Sequence, residues 1–272
     1  MKLEIHKSEI IRLYTEEEYS LDKLIKIYHT SGSKIKNILL SENITLRSIP
    51  FKGQHTNHEY FTSIDSENKA YFLGYIFADG YHHEKTHTLS LQLHDKDIQT
   101  LETISQEIYN DYKPLLKIKN FDLHRFSVTS QQISKSLIVH GCTQNKTFKL
   151  TFPNTVPQYL IKHFIRGYMD GDGSIYFKKY NQSVEFIATE SFCTTLNDIF
   201  VSKLNITPKN IEIKKHSSNG SIFRLRYCKR KDIITILSWL YSDSSIHLDR
   251  KYRKFLQIIE EENRPKKKNQ YT

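Results

Sequence analysis

Two aspartates, Asp79 and Asp172, stand 93 residues apart, and each closes an apolar stretch with an Asp-Gly step: AYFLGYIFADGY at 70–81 and FIRGYMDGDGSIY at 164–176. In each stretch small residues recur four apart, Gly74 with Ala78 and Gly167 with Gly171. On a helix that spacing removes side-chain bulk from one face, so that two backbones can approach closely. The two stretches are therefore expected to pair through these faces. Pairing would set Asp79 and Asp172 side by side at the negative ends of their helix dipoles, where a carboxylate is disfavoured by about 0.3–1 kcal/mol and where the two charges repel. A divalent cation relieves both penalties, and hard oxygen ligands with open water positions suit Mg2+ or Mn2+. A lone Asp-Gly is ordinarily just a helix-ending turn. Two copies, each with its small-residue face, point to chemistry.

The elements that must carry these aspartates repeat as well. After the first Asp-Gly, residues 87–94 alternate, with Leu89, Leu91 and Leu93 on one face and Thr88, Ser90, Gln92 and His94 on the other, the period of a half-buried strand. A helix is expected at about 98–109, a hairpin at about 115–129 and a helix at 130–140. The second copy repeats the order: strands at about 174–188 turning at Tyr180–Ser183, a helix at 191–204, a hairpin at 210–228 turning at 217–220, and a helix at 230–241. Each copy reads as α-β-β-α-β-β-α over about 100 residues. A last helix, 249–262, and a basic tail, 263–272, expected to be disordered, close the chain. Before the repeat, residues 1–47 read as short helices. Ser20 is placed as the N-cap of Leu21–Tyr28, the HTSGS link contains Gly32, and a third helix presents Lys34, Lys36 and Asn37. This resembles a helix-turn-helix, with a helical bundle that binds no nucleic acid as the plainer alternative. Residues 48–66 read as a linker, 67–152 as the first copy and 153–262 as the second.

FLGYIFADG (72–80) and IRGYMDGDG (165–173) resemble the two motifs of a single-chain LAGLIDADG homing endonuclease, and the similarity covers about residues 58–260. The resemblance implies an α+β fold of two pseudo-symmetric αββαββα halves around the paired motif helices, preceded here by the small all-α helix-turn-helix segment. It implies metal-dependent hydrolysis of DNA phosphodiesters, with Asp79 and Asp172 as metal-binding catalytic residues and the Ala78 and Gly171 carbonyls as supporting ligands. The earlier acidic position of the motif is Phe77 in the first copy and Asp170 in the second, where its role is structural. By the same resemblance Gln92 is a polar residue beside the metals, with Ile187 or Glu185 in its place in the second copy. Lys229 is a basic residue delivered to the site, with Thr129 or Ser130 as its counterpart. Gln92 as a DNA contact or solvated strand residue, and Lys229 as a helix-start or phosphate-contact lysine, are the plainer alternatives.

Composition agrees with a polyanionic partner. Lys and Arg number 40 against 30 Asp and Glu, for a net charge of +10, and the chain holds 17 Tyr and 15 Phe. A Lys-rich proteome could produce the same balance. More specific is the segment 209–231, with eight Lys or Arg and one acid, Glu212. A two-stranded ribbon fits the major groove, where Arg, Lys and Gln read base edges. Expected DNA contacts on such strands are Ser90, His94, Lys117, Lys119 and Arg125 (or His124) in the first copy, and Lys178, Lys214, Arg224 and Arg226 in the second. Double-stranded DNA is thus the expected partner of a monomer, with intron RNA as a second nucleic-acid class. An RNA maturase or a regulator that binds without cutting is the alternative reading; both acids are present, which favours the enzyme. An intein is not expected, since the chain lacks a terminal His-Asn and a nucleophile at position 1. No apolar run approaches the roughly 20 residues of a membrane span, and the charged N-terminus does not read as a signal peptide. Three scattered cysteines suit a reducing compartment. The expected location is intracellular and DNA-associated, in cytoplasm or organelle.

Overall fold

In a computed structural model of the chain, residues 6–17, 19, 21–44, 56–109, 115–118, 120–178, 181–217 and 220–264 are described. They form two compact units, Met1–Gln54 and His55–Thr272. Ser20, Lys119, the 218–219 turn and the tail beyond Arg264 lie outside the described residues.

Among the described residues the first unit holds three short helices, α1 (Lys7–Thr15), α2 (Leu21–Ile27) and α3 (Gly32–Ser41). Ile10, Leu13, Tyr14, Leu24, Ile35 and Leu39 form its core. Gly32 opens α3 rather than sitting in the preceding link, with Ser31 at the N-cap in extended conformation. Lys34, Lys36 and Asn37 are exposed on the polar side of α3.

In the second unit, residues 56–66 are not a linker. Tyr60, Phe61 and Ile64 are buried in the main core, and Asn57 N donates to Ile108 O at 2.7 Å. The first half then runs through α4 (Glu67–Asp79), β1 (Tyr81–His83), β2 (Thr88–His94), α5 (Ile98–Tyr109), β3 (Leu116–Ile118), β4 (Leu123–Thr129) and α6 (Gln131–Val139). The second runs through α7 (Ile161–Gly171), β5 (Ser174–Lys178), β6 (Asn181–Ala188), α8 (Glu190–Leu204), β7 (Glu212–Ser217), β8 (Gly220–Tyr227) and α9 (Arg230–Tyr241), with α10 (Asp249–Asn263) appended. Each half holds one four-stranded antiparallel sheet, in orders β1-β2-β4-β3 and β5-β6-β8-β7. The two sheets therefore have the same topology, as the sequence repeat requires. On β2, Leu89, Leu91 and Leu93 are buried while Gln92 and His94 are exposed, so one face packs on the helices and the other is open.

The motif helices α4 and α7 form the seam. A Cβ on Gly74 would stand 2.9 Å from Tyr168 N and closer still to the Phe164 carbonyl oxygen; one on Gly167 would stand 2.9 Å from Tyr75 N and closer to the Tyr71 oxygen. The helices thus touch backbone to backbone, and only glycine fits at either crossing point. Polar groups also cross the seam. Arg166, fully buried, donates to Glu67 Oε1 at 2.6 Å, to Ile246 O at 2.9 Å and to Leu240 O at 3.0 Å. Asp170, also fully buried, accepts from Tyr71 OH at 2.8 Å, Tyr241 OH at 2.6 Å and Leu248 N at 2.7 Å. A buried carboxylate with three donors is satisfied, so Asp170 is a structural acid. Its counterpart Phe77 packs edge-on against Phe164.

Candidate nuclease site at the paired helix ends

The C-terminal ends of α4 and α7 meet. A Cβ on Gly171 would collide with Ala78 Cβ and lie 3.4 Å from Asp79 Oδ2. Each aspartate is followed at once by the first strand of its sheet, so both open sheet faces start from the same point. Tyr75, one turn before Asp79, directs its hydroxyl to Asp79 Oδ2 at 3.4 Å. Tyr168, one turn before Asp172, donates instead to Ile187 O at 2.7 Å. The Asp172 carboxyl is pushed up to about 6, first by the protein around it and then by the neighbouring Asp79 charge, against the opposing pull of Lys146, Lys251 and Lys214. The Asp79 contribution agrees with the close approach of Gly171 to Ala78 and Asp79. The architecture is the one the two motifs imply.

No known family profile matches the sequence, and no curated protein is detectably similar to it. Among solved structures, the chain is similar to the I-LtrWI LAGLIDADG homing endonuclease bound to target DNA, at 15% identity over 75% of this chain and 91% of that one, with a TM-score of 0.45. It is also similar to the I-SmaMI LAGLIDADG homing endonuclease bound to cleaved DNA, at 14% identity over 73% and 89%, with a TM-score of 0.44. I-SmaMI bound to uncleaved DNA in the presence of calcium gives 14%, 72%, 90% and 0.44.

Two lysines that sequence reasoning missed stand at the paired helix ends. Lys146, from a one-turn 3-10 segment after α6, donates to Gly80 O at 2.5 Å. Lys251, from the first turn of α10, donates to Gly173 O at 2.7 Å, Asp170 O at 2.8 Å and Gly171 O at 3.4 Å, and also to Met169 O. Gly80 and Gly173 are equivalent residues of the two motifs, so the two ammonium groups share one carbonyl position, to which Lys251 adds three carbonyls of α7. Lys251 is 3% exposed, and burial lowers its pKa to about 8.

Gln92 is exposed on the open face of β2, the strand that pairs with the one following Asp79. Tyr81 lies opposite Ser90, and continuing that register two residues places Gln92 alongside Asp79. In the amide orientation that satisfies both groups, Gln92 accepts from Arg125 Nη2 at 3.0 Å and Nε at 3.2 Å. In the second half Ser174 lies opposite Glu185, so Ile187 falls alongside Asp172, with Arg224 across from it. Lys229 is not brought to Asp172. It sits at the N-cap of α9, exposed, five residues beyond Arg224 toward the far end of the sheet, about 16 Å of extended chain. Its counterpart Ser130 caps α6 by accepting from Ile133 N at 3.2 Å. Both positions belong to helix starts, which is why they look alike in sequence.

The expected strand contacts divide by pairing. Arg224 is held by Glu212 and Arg226 by Glu185, the latter at 3.0 Å. Lys117 pairs with Asp95 at 3.1 Å. Ser90 Oγ is 3.0 Å from Ser127 Oγ, and His94 accepts from Lys96 N at 3.3 Å. Lys178 and Lys214 are exposed. A register shift between Ile213 and Lys215 locally re-aims β7, and Lys214 acts on Asp172.

Among the described residues no group of three or more His, Cys, Asp or Glu converges. A cation here has two carboxylates and nearby carbonyls, with remaining positions left to water and substrate, a donor set that fits Mg2+ better than a soft metal.

The raised Asp172 pKa fixes a pH dependence. Its folded value, about 6, lies above the ordinary 3.8, so the fold favours the protonated acid. The associated stability is full below pH about 4 and lost as pH rises through about 6. In metal-free buffer, Asp172→Asn should gain thermal stability over the parent across that window. A parent-minus-variant difference that does not change between pH 4 and 7 would contradict the raised Asp172 pKa.

Proposed function

We propose that the chain is a site-specific double-stranded DNA endonuclease that hydrolyses phosphodiesters with Mg2+ or Mn2+. The observation that carries this reading is the convergence of Asp79 and Asp172 at the ends of two backbone-contacting helices, with Lys146 and Lys251 bound to equivalent glycine carbonyls beside them. Asp79 and Asp172, with the Ala78 and Gly171 carbonyls, are the residues that would hold the metal. When bound, it supplies Lewis-acid polarisation of the phosphate and a water of lowered pKa. Gln92, held by Arg125, orients the water at the first strand. The Lys146 and Lys251 ammonium groups stabilise charge developing on the phosphate and the departing oxygen. The open sheet faces, with Ser90, His94, Arg125, Lys178, Lys214, Arg224 and Arg226, follow the duplex. Because Ile187 replaces Gln92 in the second half, the two strands meet different environments and are cut at different rates. Selection of cut molecules from a randomised duplex library, with Mg2+, Mn2+ or EDTA, tests the reading. Metal-dependent cuts on both strands are expected. Binding without cutting under either metal would replace it by the regulator or maturase alternative.

The N-terminal unit adds phosphate contacts through Lys34, Lys36 and Asn37. Because the second unit has its own core, a chain beginning at His55 should fold. It should bind its target more weakly, with the log–log salt slope shallower by about 0.9 per lost phosphate contact. Equal affinity and equal slope in fluorescence anisotropy would show that these helices do not touch DNA.

A further inference from the structure

Beyond the carboxylates and lysines, one contact joins what the two halves supply separately. Asp97 ends the 3-10 segment Asp95–Asp97, which directly follows β2, the strand that carries Gln92. Asp97 is 7% exposed. Its Oδ2 accepts from Arg250 Nε at 3.2 Å, and its Oδ1 has no hydrogen-bond partner among the described residues. A buried carboxylate so sparsely satisfied depends on the one cation that reaches it. Arg250 belongs to the first turn of α10, in the other half. The next residue is Lys251, and on a helix adjacent side chains point about 100° apart. The first turn of α10 is therefore gripped from two sides: Arg250 by the first half, Lys251 by the carbonyls at the end of α7. Leu248, just before it, is anchored by Asp170. The pair also stands near Tyr75, whose hydroxyl faces Asp79: both Arg250 and Asp97 act on the Tyr75 phenol. A cavity of about 600 Å³, lined by His94, Lys96, Asp97, Asp249, Arg250 and Arg253, opens beside it.

We propose that Asp97 and Arg250 are positioning residues that couple the two cleavage sites, by tying the strand end that carries Gln92 to the helix turn that carries Lys251. The functional part rests on the nuclease reading; the mechanical part does not. With the tie intact, the Gln92 side and the Lys251 side keep one relative placement, and cutting of the second strand follows promptly on the first. Without it, Leu248 and Lys251 still anchor α10 to its own half, but the placement relative to β2 loosens.

Two measurements on the full chain test this. The first is hydrogen exchange in metal-free, DNA-free buffer at the Lys251 and Tyr252 amides, both of which donate to Leu248 O. Asp97→Asn should speed their exchange by about tenfold while α9 is unchanged. The second is cleavage of a selected duplex labelled on each strand. Asp97→Asn/Arg250→Leu removes the link without leaving a buried unpaired charge, so it should regain the stability that Arg250→Leu alone loses. It should still exchange fast, and its ratio of second-strand to first-strand rate should fall by about tenfold. Unchanged exchange in Asp97→Asn overturns the proposal whether or not the parent cuts DNA. Faster exchange with both strands slowed equally overturns the coupling and leaves a structural contact. A parent that cuts no duplex, with faster exchange in the variants, refutes the nuclease reading and with it the coupling, and leaves the mechanical tie standing.

Discussion

Asp79→Asn and Asp172→Asn should each reduce double-strand cleavage by about a thousandfold or more while leaving target affinity within about tenfold. Asparagine keeps the shape of aspartate and loses its charge, so the helix ends still meet but the paired anionic oxygens are gone. Neither residue provides a phosphate-binding cation, which is why affinity should hold. The Asp172 variant has a second, opposite expectation: it removes a carboxylate that the fold prefers protonated, with its pKa near 6, so the metal-free protein should become more stable above that pH as activity is lost. Gain of stability with loss of turnover separates a functional acid from a structural one, since a structural acid loses both. Single-turnover cleavage and thermal melts on the same samples are the check. Normal cutting of both strands by either variant would remove these residues from the reaction.

Gly167→Ala and Gly74→Ala should each destabilise the second unit by about 3 kcal/mol or more. The new methyl group meets a backbone carbonyl on the facing helix, not the end of a flexible side chain. Relief requires the two helices to separate, and that separation would pull on the Arg166–Glu67 and Tyr71–Asp170 contacts that cross the same seam. Urea denaturation should show a lower midpoint with an unchanged slope. A variant melting within 1 kcal/mol of the parent would mean that the helices do not touch as described.

How far the sequence went can be judged on these same elements. The motif helices were legible because small residues at a spacing of four and a repeated Asp-Gly are local signals. The alternating β2 was legible for the same reason, and with it the open face that carries Gln92. Lys229 was misplaced because a strand end and a helix start adjoin there, and nothing local reports which end of the sheet faces the aspartates. Lys146 and Lys251 were invisible for a different reason. They lie 67 and 79 residues beyond their aspartates, on unlike elements, so no period connects them, and only the folded chain returns both to equivalent glycine carbonyls. The strand arginines were read as DNA contacts without their partners, Glu212 and Glu185 on the adjacent strands, which hold them. Residues 48–66 were read as linker from their polar composition, although Tyr60, Phe61 and Ile64 anchor 56–66 to the core while most of their neighbours stay exposed.

The unlike presentation of the two lysines has a consequence in time. Lys251 rides on a fifteen-residue helix and is buried. Lys146 rides on a three-residue 3-10 segment whose leading residue, Asn145, is left-handed and makes no side-chain cap. So short an element opens at a small fraction of the global unfolding free energy. Lys146 is therefore expected to leave and rejoin Gly80 more often than Lys251 leaves its carbonyls, which faster amide exchange at Lys149, whose N–H donates to Lys146 O, than at Tyr252 would show. On that expectation one end of the paired helices has a standing ammonium group and the other an intermittent one, the fraction of time that both are in place being set by the opening equilibrium of residues 145–149; equal exchange at the two amides would remove the difference.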